Sequence, residues 1–122
     1  MPDAVMRVAA RTVDLDDEPL DPGQVLDGDP RTSAFVLADM PDGFECGVWR
    51  CTPGRFRDTE TQESFVVLKG KATIEWAGGS IEVGAGDLCF LAAGTETVWT
   101  VHETLLKGFS LAPPCSQGDY VS

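Results

Sequence analysis

The sequence predicts an all-β fold of one domain, a sandwich or barrel of short antiparallel strands. Three observations lead there. Glycine and proline interrupt the chain every 8–12 residues or so, with 13 Gly and 8 Pro in 122 residues, the spacing expected of hairpin-connected strands. The intervals between them are rich in β-branched and aromatic residues, which suit a pleated, half-buried surface. No interval sustains the 3.6-residue apolar period of an amphipathic helix.

Residues 1–25 read as an N-terminal arm, with Val8, Val13 and Leu15 spaced to form a short edge strand. Asp21-Pro22-Gly23 and Gly28-Asp29-Pro30 carry turn chemistry. The domain proper is read over 26–112. Its strands are expected at Ser33–Asp39, Glu45–Thr52, Ser64–Lys69, Lys71–Trp76, Ser80–Val83, Leu88–Leu91, Thr95–Val101 and Leu105–Leu111. Pro53-Gly54 should end the second strand, and the polar stretch after it should be a connection. Gly70 should turn the chain, and Gly78-Gly79 is a tight hairpin signal. Pro113-Pro114 ends regular structure, leaving 113–122 as a tail.

Charge excludes some functions. With 9 Lys and Arg against 20 Asp and Glu, the formal net charge is −11. Nucleic-acid binding draws its affinity from cationic side chains meeting phosphate, so no nucleic-acid partner is expected. Repulsion from anionic lipid argues equally against a membrane. No apolar run approaches the roughly 20 residues of a membrane span, and the first residues lack a signal-peptide core, so the expected location is cytoplasmic.

The cysteines are Cys46, Cys51, Cys89 and Cys115. Cys46 and Cys51 fall in one expected strand, where five residues span roughly 16 Å, against the roughly 4.4–6.8 Å a disulfide needs between Cα atoms. Free, mostly buried thiols are expected, as in a reducing compartment. A soft-metal site joining Cys89 and Cys51 to Glu63 is the minority alternative.

Two segments carry a resemblance. GVWRCTPGRFRDTETQESFVVLKG (47–70) places Glu63 and Gly70 with six residues between them. GDLCFLAAGTETVWTVHETLLK (86–107) has Gly86 and Gly94 at matching positions, with Ala92 where a proline is usual. Together they resemble the two motifs of the cupin superfamily. The pieces Gly28-Asp29-Pro30, Gly47-Val48-Trp49, Thr52-Pro53-Gly54, Gly86-Asp87 and Trp99-x-Val101-x-Glu103-x3-Lys107 are similar to the ureidoglycine aminohydrolase-like cupins. The resemblance implies an antiparallel jelly-roll β-barrel, and sets the immunoglobulin sandwich aside, since Cys46, Trp49 and Cys51 are too close together for that framework. It also implies a homodimer, with the N-terminal arm a candidate for strand exchange.

Cupins hold a metal with two motif-1 histidines, a glutamate and a motif-2 histidine. Here the first two positions fall on Phe56 and Asp58, or on Arg57 and Thr59, and the last on Thr97; Glu63 alone is retained. The chain has one histidine, His102, so the usual site is excluded by count. No metal and no cofactor are expected.

What remains is a barrel interior. Side chains alternate faces along a strand, so Glu63, Phe65 and Val67 should share an inner face, as should Thr97, Trp99 and Val101. Trp49 and Cys51 share a face that points the same way. Glu63 is the candidate catalytic residue: burial would raise its pKa and suit it to acid or base work. The structural alternative pairs it with Arg50, Arg55 or Arg57, or leaves it at the surface. Trp49, Cys51, Phe65, Thr97 and Trp99 are the candidate ligand-binding residues, and for the aromatic ones core packing is the alternative. His102, of opposite parity to Thr97, should face outward. Glu103 and Lys107 are expected to pair near the rim. The function expected is binding of a small molecule in the barrel. The alternative is an enzyme, either of the ureidoglycine aminohydrolase-like type or a metal-free isomerase or epimerase with Glu63 as acid/base.

Overall fold

The structure, a computed structural model, describes residues 3–113. Its strands are β1 (Asp16–Asp17), β2 (Val25–Gly28), β3 (Thr32–Asp39), β4 (Glu45–Cys51), β5 (Gly54–Thr59), β6 (Glu63–Trp76), β7 (Gly79–Gly84), β8 (Leu88–Leu91) and β9 (Glu96–Leu111). A 3-10 turn, Pro22–Gln24, precedes β2. Every pairing is antiparallel. Cys115 and the rest of the expected tail beyond Pro113 lie outside the described residues.

β9 is the axis of the sheet. Its first half pairs with β5 and its second half with β4, while β6 runs along its other side throughout. β3 and β1 extend the sheet beyond β4, β2 extends it beyond β5, and β7 and β8 flank the two halves of β6. Curled in this way, one antiparallel sheet forms a jelly-roll, the all-β fold expected. Its interior is filled by Phe56, Phe65, Val67, Ile74, Trp99 and Leu105, all at most 2% exposed. Burial of such side chains is worth about 1.5–3 kcal/mol each.

Three differences from the expected elements have local causes. The stretch after Pro53 is a strand, β5, rather than a connection. Its inward positions hold Phe56 and Asp58, so only one apolar residue marks its buried face, and the period-2 signal is lost. Gly70 does not end a strand. β6 runs through it as a continuous 14-residue strand, and β9 is likewise one 16-residue strand. The β6–β9 register shifts between Val67 and Ala72, so the buried positions change from odd (Glu63, Phe65, Val67) to even (Ala72, Ile74). Gly70 sits in this bulge at φ 95°, where a Cβ would lie 2.1 Å from the Thr104 carbonyl oxygen. Backbone approach of that kind is what glycine permits and alanine does not. Gly70→Ala is expected to cost more than about 1 kcal/mol, read as a lowered midpoint in urea denaturation. Finally, the edge strand of the N-terminal region is Asp16–Asp17, paired with Ser33 and Ala34; Val8, Val13 and Leu15 are in no strand.

No helix among the described residues is long and apolar enough to cross a membrane.

Candidate functional site

Alternation on four strands brings the site together. Trp49 comes from β4, Phe56 and Asp58 from β5, Glu63 and Phe65 from β6, and Thr97, Trp99 and Lys107 from β9. Glu60 lies on the connection from β5 to β6. Its N–H donates to the Thr95 carbonyl at 2.9 Å and its own carbonyl accepts from Gly94 N–H at 2.8 Å, which fixes its backbone. The side chains line a half-open cavity of about 290 Å³, bounded by Trp49, Phe56, Asp58, Glu60, Glu63, Trp99 and Lys107 among others.

At its centre is a buried ion pair. Lys107 Nζ donates to Glu63 Oε2 at 2.6 Å, and the two side chains are 7% and 10% exposed. The same ammonium lies 4.6 Å from the ring centre of Trp49, 4.4 Å from Phe65 and 4.8 Å from Trp99. Aromatic faces are negative and attract a cation, by about 2 kcal/mol or more when it is desolvated. Trp99 in turn stacks on Phe56 (6.0 Å between centres, 9° between planes) and meets Trp49 edge-on at 6.0 Å.

Glu60 forms a second cluster. Its Oε2 accepts from Thr97 Oγ1 at 2.6 Å and from Trp99 Nε1 at 3.0 Å. Among the described residues, every fully buried side-chain N or O has a hydrogen-bond partner. Glu60 and Glu63 each engage only Oε2, so the Oε1 atom of each is open to the cavity.

Electrostatics follow burial. Burial raises the pKa of Glu63, opposed by the charge and hydrogen bond of Lys107, with the Glu60 charge adding to the rise. Asp58 is pushed up to about 6, first by burial and then by the Glu60 charge. A folded-state pKa above the ordinary value of 3.8 means that the native state binds more protons than the unfolded state between the two values. Stability from Asp58 is therefore largest below that window and is lost as pH rises through it. Asp58→Asn is expected to stabilise the protein at pH 7, by about 1–3 kcal/mol. It should also flatten the dependence of the melting temperature on pH between pH 4 and 6; an unchanged profile would show that Asp58 does not titrate this way.

The residues singled out in the sequence occupy different layers. Glu63, Trp49 and Trp99 line the cavity. Phe65 and Thr97 are buried behind it, one against the Lys107 ammonium and the other holding Glu60. Cys51 is fully buried in the core cluster and does not line the cavity; burial takes its pKa up to about 12, so it is neither a thiolate nor within reach of a ligand. Cys46, Cys51 and Cys89 are free. His102 is exposed and bonded to Thr73 at 2.8 Å, facing outward as its parity required.

The expected ion pairs need correction. Glu63 meets none of the three arginines proposed for it: Arg55 approaches Glu75, and Arg57 donates to the Gly23 carbonyl. Lys107 is not at the rim with Glu103, which pairs with Lys71 at 3.6 Å on the surface. Lys107 was missed as a site residue, although its parity matches that of Thr97 and Trp99. Glu60 lies outside any strand and had no alternation signal. Asp58 stood out only as a motif position.

The two alternative motif alignments are distinguished by facing: Phe56 and Asp58 turn inward, while Arg57 and Thr59 are exposed. The positions that the motif resemblance would assign to metal ligands are then Phe56, Asp58, Glu63 and Thr97, and these side chains do not suit a metal. Phe56 offers a ring stacked on Trp99, the Thr97 hydroxyl is committed to Glu60, and Glu63 is neutralised by Lys107. Among the described residues no group of three or more His, Cys, Asp or Glu side chains is arranged to hold a metal ion.

Fold and site together define a cupin. The chain belongs to the EutQ-like cupin domain family, whose model matches residues 40–109. Among solved structures, it is similar to a protein of unknown function of the DUF861 family from Pseudomonas syringae (24% identity, TM-score 0.75). That likeness covers 84% of this chain but 46% of the other, so this chain spans about half its length. It is also similar to the EutQ protein of Clostridium difficile (19% identity, TM-score 0.64, covering 84% of this chain and 78% of that one). The Cnp3 cupin domain of Schizosaccharomyces pombe is a third likeness (12% identity, TM-score 0.67, covering 87% and 72%). No curated protein matches the chain. At these identities the structural likenesses show the fold.

Proposed function

We propose that the protein binds a small molecule in the barrel without a metal, Lys107 supplying from within the chain the positive charge that a metal ion supplies in other cupins. The observation that carries this reading is the Lys107 ammonium, buried at the retained motif glutamate and walled by three aromatic rings beside a half-open cavity. A fixed cation there discharges Glu63 and opposes any second cation bound to it. The motif likeness to ureidoglycine aminohydrolase-like cupins belongs to this reading as a matter of scaffold, since the metal-dependent reaction of that group has no ligand set here.

One observation favours a catalytic version. Glu63 keeps one oxygen open to the cavity and has a raised pKa, the arrangement of a general acid/base in a metal-free isomerase or epimerase.

A thermal-shift screen of small metabolites tests the binding reading, because a ligand selective for the native state raises the melting temperature. At least one compound should stabilise the wild type and lose its effect on Glu63→Gln. Stabilisation that survives this change in every case places the ligand elsewhere.

The reading includes a homodimer. Leu88 and Phe90 stand 80% and 64% exposed on β8, an apolar pair of the kind an interface covers. Light scattering should give twice the chain mass; a clean monomer removes the dimer.

A further inference from the structure

The cavity carries more negative charge than its own lysine balances. Five carboxylates line it, those of Glu18, Glu45, Asp58, Glu60 and Glu63, against the single ammonium of Lys107. That ammonium is committed to Glu63 and to the aromatic box. Glu60 and Glu63 are only 6% and 8% exposed, yet each has one oxygen that is bonded by no donor among the described residues and opens on the cavity. Such an oxygen bonds most strongly to a donor that is itself positively charged.

We propose that the cavity selects a small organic ammonium ion, whose N–H groups are bound by the open oxygen of Glu60 and by Asp58, the Glu63 carboxylate being already taken by Lys107. The proposal rests on the reading that the barrel is the ligand site, and adds the ligand's chemical class. An anionic ligand would meet uncompensated carboxylates, and a neutral one would leave them uncompensated. Among the described residues a metal ion finds no ligand set. The other walls, formed by Leu20, Trp49, Phe56 and Phe109, give an organic body apolar contact that a hydrated metal cannot use. About 290 Å³ lies at the lower end of ligand cavities, which limits the body to a few heavy atoms. The raised Asp58 pKa has the same physical origin: burial beside Glu60 with too little positive charge nearby. Glu18 and Glu45 extend the negative lining and would draw a cation inward.

The test compares three probes of one shape, n-butylammonium, 1-butanol and butyrate. Binding to the full chain is followed by calorimetry and by tryptophan fluorescence at pH 7 and fixed ionic strength. Butylammonium should bind with 1:1 stoichiometry, about tenfold or more tighter than butanol, as one or two charge-assisted hydrogen bonds provide. Butyrate should not bind. Glu60→Gln keeps an oxygen to accept from Thr97 and Trp99, so the site stays built; it should weaken butylammonium by about tenfold and leave butanol unchanged. Glu103→Gln removes the same charge from the exposed surface and should change neither. The proposal is overturned if butanol or butyrate binds as tightly as butylammonium, if butylammonium shows no saturable binding, or if Glu60→Gln and Glu103→Gln act alike. A neutral or anionic metabolite that stabilises the wild type but not Glu63→Gln would likewise overturn the ammonium class and leave the barrel as the ligand site.

Discussion

Lys107→Met is expected to lower the unfolding free energy by about 3–5 kcal/mol at pH 7, the usual result of removing one partner from a buried ion pair. The methionine keeps most of the packing against Trp49, Phe65 and Trp99, so the loss is chiefly electrostatic. It leaves Glu63 buried with no cation to offset its charge. Three consequences separate this from a packing defect. The deficit should shrink as pH falls, because burial already raises the Glu63 pKa, and protonation removes the stranded charge. The double change Glu63→Gln with Lys107→Met should recover most of the lost stability, since a pair replaced on both sides is often close to neutral. The single change Glu63→Gln should cost less than Lys107→Met, because the aromatic rings still hold the lysine. Urea denaturation of the four proteins at pH 5 and 7 gives the complete cycle. Equal deficits for Lys107→Met and for the double variant would show that the loss is packing alone.

Trp99→Ala is the second large effect, expected at about 3–5 kcal/mol. Trp99 is the largest fully buried side chain and touches both halves of the site. Its ring stacks on Phe56 and walls the Lys107 ammonium, while its N–H donates to Glu60. Truncation opens a cavity between the ion pair and Glu60, taking a ring face from the Lys107 ammonium and the N–H donor from Glu60. Trp99→Phe divides the two contributions. A phenyl ring retains stacking with Phe56 but offers Glu60 no hydrogen bond, and the loss should fall to about 1–3 kcal/mol. If phenylalanine costs as much as alanine, the indole N–H rather than the ring dominates.

Much of the barrel was legible in the sequence because turns and alternation report local physics. Gly78-Gly79, the β8 boundaries and the inward parity of Glu63, Phe65, Thr97 and Trp99 all follow from residue type and period 2. The errors fall where tertiary contacts decide. Gly70 is a bulge rather than a turn because the Thr104 carbonyl approaches it from the neighbouring strand, which nothing in the local sequence records. Lys107 shows the limit most clearly. Its parity with Trp99 points inward, but a lysine on an inward face is expected only if a partner waits there. The nearest carboxylate in sequence, Glu103, reads as that partner; the actual one lies 44 residues away on β6. Between Val101 and Leu105 the strand also departs from simple alternation, leaving Glu103 exposed. Glu60 escaped notice, and Asp58 stood out only as a motif position, for a related reason. A polar run such as Arg57-Asp58-Thr59-Glu60 has the composition of a surface connection, and only the pairing of β5 with β9 turns part of it inward.

Under the proposed reading, Lys107 holds covalently, within the chain, the positive charge that a metal ion holds in other cupins. Metal content of the purified protein, measured after equilibration with manganese, nickel and zinc and removal of excess ion, tests this most directly. Well under one equivalent of any metal per chain is expected, with no difference between the wild type and Glu63→Gln. One equivalent bound by the wild type and lost in Glu63→Gln would contradict it, because Glu63 would then be a metal ligand and not the partner of Lys107.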